Sequence, residues 1–86
     1  MNKESLIQSL KFILNKGFCQ ATVHRAIKEF NIIKPYLQES DSKKLGYYMM
    51  YLDPTYPDYI DADHRHTCEM FADCVMAIIK SIYNTK

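Results

Sequence analysis

Eighty-six residues with an apolar fraction of 48 % are enough for one small cored domain, in which about 60–65 % of the unfolded surface is buried, and they exclude a disordered chain. A net charge of +1 gives no general attraction to nucleic acid or to an anionic membrane. The charges are segregated, however: residues 1–46 hold eight of the eleven Lys/Arg, and residues 47–86 hold six of the ten Asp/Glu.

The chain opens with a predicted helix over 4–15. Asn2 is a good N-cap, Leu6, Ile7, Leu10, Ile13 and Leu14 share one face, and Glu4 and Lys16 suit the helix dipole. Gly17 is expected just past its end in a left-handed turn, with Phe18 folded back on Leu14. A second helix over 20–34 carries Val23, Ala26, Ile27, Phe30 and Ile33 on one face and stops or kinks at Pro35, which lacks the amide needed to continue. After a polar loop, Ser40 or Asp41 caps a third helix over 42–52 with Leu45, Tyr48, Met49 and Leu52 at helical spacing. That boundary sets Lys43 and Lys44 against the dipole at its start and Asp53 against it at its end. Gly46 lies inside this helix, where glycine costs about 1 kcal/mol against alanine unless a neighbour needs the space.

The fourth helix, over 63–83 and capped by Asp61 or Asp63, has the widest apolar stripe: Phe71, Cys74, Val75, Ile78, Ile79 and Ile82. Neither a strand pattern nor an internal repeat is present. The fold class is therefore all-α, a small antiparallel four-helix bundle forming a single domain over 1–86, with Leu10, Ile27, Phe30, Met49, Phe71, Val75 and Ile78 in its core. Three cysteines without paired spacing, no signal peptide and no apolar run of about 20 residues point to a soluble cytoplasmic protein in a reducing compartment.

Several chemistries are disfavoured by spacing. Asp61 to Glu69 is rich in metal-ligand types, but His64 and His66 point about 200° apart on a helix and no standard zinc spacing occurs. Helix capping accounts better for these aspartates, so no metal or other cofactor is expected. There is no G-x-S-x-G nucleophile motif, and two glycines cannot make a phosphate-binding loop. An enzyme is not expected. His24, Arg25 and Lys28 are too few for a DNA-reading helix.

The tyrosines point elsewhere. Tyr47 and Tyr51 stand one turn apart on a face distinct from the apolar stripe, and Tyr56 and Tyr59 follow in a segment containing Asp53, Asp58, Asp61 and Asp63 but no base. Tyrosine supplies apolar area with little rotamer freedom to lose, and it is enriched at protein interfaces. These eight residues form the expected partner-binding surface; the alternative is that some of the rings pack over one end of the bundle.

Residues 45–83 resemble the colicin D immunity protein family, the self-protective colicin-like immunity proteins. The resemblance is carried by MMYLDPTYPD at 49–58, IDAD at 60–63 and the stripe Phe71, Val75, Ile78. It implies a helical inhibitor of the nuclease domain of a bacterial toxin, a tRNA-cleaving one in related cases. Asp53, Asp58, Asp61 and Asp63 would stand in for RNA phosphates in the toxin's basic active site. The implied partner is thus a protein, with no direct contact to nucleic acid or membrane. The alternative is a small phage- or plasmid-encoded regulator, either a DNA-binding accessory factor or an inhibitor of a host nucleic-acid enzyme.

Overall fold

A computed structural model describes residues 2–19, 21–52 and 64–84, the last stretch with side chains from residue 66 onward. Among these residues are four α-helices and no strand: α1 (Lys3–Gly17), α2 (Val23–Ile33), α3 (Glu39–Leu52) and α4 (His64–Asn84), with a 3-10 turn at Lys34–Tyr36 after α2. The all-α class read from periodicity is the observed one. No described helix is long and apolar enough to cross a membrane.

Local chemistry explains most of the boundaries. The Asn2 side-chain oxygen accepts from the Ser5 amide at 2.7 Å, satisfying one of the amides that a helix start leaves without a partner. At the other end of α1, the Thr22 hydroxyl donates to the Lys16 carbonyl at 2.7 Å. It thereby gives a partner to one of the carbonyls at a helix end and ties the start of α2 to the end of α1. Pro35 ends α2 as expected. The chain tightens into one 3-10 turn, and Leu37 is extended at φ −94°, ψ 156°.

Three expectations about these helices need correction. Gly17 is the last residue of α1 and has no positive φ. A Cβ there would lie 2.7 Å from Cε2 and Cζ of Phe71, so glycine is needed for close approach of α4 and not for a left-handed turn. Phe18 packs edge-on against Phe71, with centroids 5.9 Å apart and planes at 81°. The third helix begins at Glu39, earlier than the polar composition of 39–43 indicated. Glu39 and Asp41 then occupy its first turn, where carboxylates suit the dipole. Lys43 sits one turn further in and pairs with Glu39 at 3.1 Å, which removes the charge conflict expected at this end. Asp53 falls outside the described residues.

The helices are arranged in a ring. α1 packs extensively on α2 and α4, α3 packs on α4, and α2 and α3 share few contacts. The core draws on all four, with Leu10, Ile13, Ile33, Leu45, Leu52, Phe71 and Val75 fully buried. Phe30, Met49 and Ile78 are buried as expected, but Ile27 is only partly so. Between α1 and α2 the Ser9 hydroxyl donates to Glu29 at 2.8 Å. Cys74 is buried and Cys68 half-buried, whereas Cys19 is exposed in the link between α1 and α2 and not packed in a helix face.

Candidate functional site

Two surfaces stand out, and both involve α3. On its outer face Tyr47 is 55 % exposed. Its ring lies 4.9 Å from that of half-buried Tyr51 and meets Tyr48 edge-on at 5.7 Å. Tyr48 packs against the core, while Tyr47 lies outward of it. The helical repeat accounts for this: residues four apart are neighbours on one face, and residue 48 is turned by about 100° from residue 47. Offset and edge-on aromatic pairs are mutually favourable, so the half-buried rings of Tyr48 and Tyr51 back the exposed ring of Tyr47. Tyr47 and Tyr51 are thus brought together as their spacing indicated. Asp53, Tyr56, Asp58, Tyr59, Asp61 and Asp63 lie outside the described residues, as does any geometry linking them to these rings.

The second surface is a groove of about 520 Å³ between α2 and α3, on the side of the ring where those helices share few contacts. From α2 and the turn after it come Ile27, Phe30, Asn31 and Lys34, a stripe at i, i+3, i+4 and i+7. Opposite them α3 contributes Gly46, Tyr47, Met49 and Met50, with Ser42 and Lys43 toward its start. Met50 is 41 % exposed. Gly46 faces the Phe30 ring, and a Cβ there would sit 3.5 Å from two ring carbons. That is ordinary contact, so packing within the domain does not demand glycine at this position.

The groove was not legible in sequence, because Ile27 and Phe30 read as core positions of an amphipathic helix. Partial exposure of Ile27 follows from α3 standing away from α2, a tertiary fact. The one available signal was Gly46, an unfavourable residue in a helix interior.

No protein-family model, curated protein or solved structure matches the chain.

Other reactive groups are scattered. Among the described residues no three His, Cys, Asp or Glu side chains come together in a way that would hold a metal ion. The Cys19 thiol is held below its ordinary value, chiefly by hydrogen bonding from the Ala21 amide. Burial pushes the Cys68 and Cys74 thiols up.

Proposed function

We propose that the protein is a cytoplasmic immunity protein that binds the nuclease domain of a bacterial toxin and blocks its basic active site. The observation that carries this reading is the aromatic platform of Tyr47, Tyr48 and Tyr51, placed on α3 directly before the acidic segment 53–63. Within it Tyr47 is exposed to water, and tyrosine is one of the residues that dominate interface energetics when desolvated. Four carboxylates without a base follow in sequence, suited to steering toward a cationic, RNA-binding cleft. The likeness of 49–58 and 60–63 to colicin D immunity proteins supports the same class of partner. In this division of labour the carboxylates speed encounter and the rings slow dissociation.

The test is binding to a basic nuclease domain encoded beside this chain. Tyr47→Ala should weaken the complex by about 2 kcal/mol. Asp58→Lys or Asp61→Lys should cost about 2–5 kcal/mol if the carboxylate is buried against a cation. Lys3→Glu, exposed at the start of α1, should leave binding unchanged. Binding that survives the aspartate reversals but is lost on changing Arg25 and Lys28 would move the interface to α1 and α2 and refute this mechanism.

A further inference from the structure

The groove between α2 and α3 shares Tyr47 with the tyrosine face of α3 and is otherwise lined by different residues. We infer that it is a docking site for an amphipathic helix of a partner protein, one with apolar residues along its buried face and carboxylates on its flanks.

The shape follows from how the walls are built. Each wall is a helical stripe, 27–34 on one side and 42–50 on the other, and each runs for about 10–12 Å. A trough bounded by two helices over that length accepts two to three turns of a third, which would complete the side of the ring where α2 and α3 share few contacts. The floor is apolar and adaptable, from Phe30, Met49 and Met50. Thioether side chains re-pack around incoming residues more readily than branched ones.

Gly46 is the second observation. The domain has room for a Cβ there, so the missing side chain does not serve the packing of α3 on its own neighbours. It leaves a gap in the α3 wall beside Phe30, where an apolar side chain of the incoming helix can seat.

Charge selects the occupant. Among the described residues, the charged side chains lining the groove are Lys34 and Lys43, with no carboxylate beside them. Lys43 is paired with Glu39 one turn away, but both side chains are more than three-quarters exposed, where such pairs are weak and screened. By contrast, a smaller groove of about 290 Å³ near the start of α1 is lined by Lys3 and Asp41 alike. A helix flanked by Glu or Asp therefore gains two complementary contacts in the α2/α3 groove, and one flanked by Lys meets two like charges.

A stapled amphipathic peptide of about 14 residues, with leucines at i, i+3, i+4 and i+7 and glutamates on the flanks, is the probe. It should bind with amide shifts centred on Ile27, Phe30, Gly46 and Met49, and at least about tenfold more tightly than the same peptide flanked by lysines. The Lys34→Glu/Lys43→Glu variant should reverse that order. Gly46→Leu should weaken the acidic peptide about tenfold or more by filling the gap, with a cooperative melt showing that the variant is folded. The charge-reversal variant alters exposed side chains and decides the matter even where Gly46→Leu does not fold. Equal affinity for both peptides, shifts mapping to another face, or no binding at about 1 mM would overturn the proposal. So would displacement of the peptide by dodecanoate, which would assign the groove to an apolar acid instead.

Discussion

Replacing Gly17 by alanine sets two backbone and packing effects against each other, and the structure decides which wins. Alanine is the better helix former by up to about 1 kcal/mol, less at the final residue of a helix. Against this, the added Cβ would stand 2.7 Å from two ring carbons of Phe71, about 1 Å inside comfortable carbon–carbon contact. Phe71 is fully buried and meets Phe18 edge-on, so its ring has little freedom to retreat and α1 must move off α4 instead. Overpacking of this kind costs about 1–3 kcal/mol. The net expectation is a loss of about 1–2 kcal/mol, read as a fall of about 5–15 °C in the melting temperature for a domain of this size. The companion change Gly46→Ala meets the Phe30 ring at 3.5 Å and should stabilise the protein by about 0.5–1 kcal/mol. Thermal and urea melts followed by circular dichroism measure both. A Gly17→Ala protein that melts at or above the parent would refute the argument that glycine is there for the α1/α4 contact.

Other changes test separate parts of the structure. Leu10→Ala removes a fully buried side chain and should cost about 2–5 kcal/mol in urea denaturation. Thr22→Val keeps the shape but deletes the bond to the Lys16 carbonyl; a loss of about 1 kcal/mol is expected, and an unchanged midpoint would show that water satisfies that carbonyl equally well. Iodoacetamide should modify Cys19 before Cys68 and Cys74, because its thiol is exposed and held low while theirs are pushed up by burial; peptide mapping by mass spectrometry gives the order. The raised thiols also couple stability to pH. The unfolded chain ionises first, so their contribution is intact below the ordinary thiol pKa and declines as pH rises from there toward the higher folded value. Urea midpoints should fall between neutral pH and about pH 9.5 by more in the parent than in a Cys68→Ala/Cys74→Ala variant.

Much of this architecture was written locally. The Asn2 cap, the stripe from Ile7 to Ile13, the stop at Pro35 and the long apolar face of α4 each follow from residues within a turn or two of one another. What lay beyond the sequence concerns distance between elements. Gly17 looks like any helix-ending glycine until Phe71 is seen against it. Glu39 looks like loop until the helix it starts is seen to run on to Leu52. Ile27 looks like core until α3 is found standing off from α2. The candidate surfaces divide the same way: Tyr47 and Tyr51 meet because four residues make about one turn, whereas the groove beside them depends on which helices pair.

That pairing also governs how the molecule can flex. α1 with α2 and α3 with α4 form two covers, joined along a spine where α1 lies on α4 and Phe71 rests against Gly17. At the fore-edge α2 and α3 share few contacts and are joined by the short link 34–38. A hinge about the spine would change the gap between the covers while leaving the packing inside each intact. Changes at Gly17 would alter the stiffness of that hinge from the side of the molecule opposite the groove, without touching a single residue of its walls.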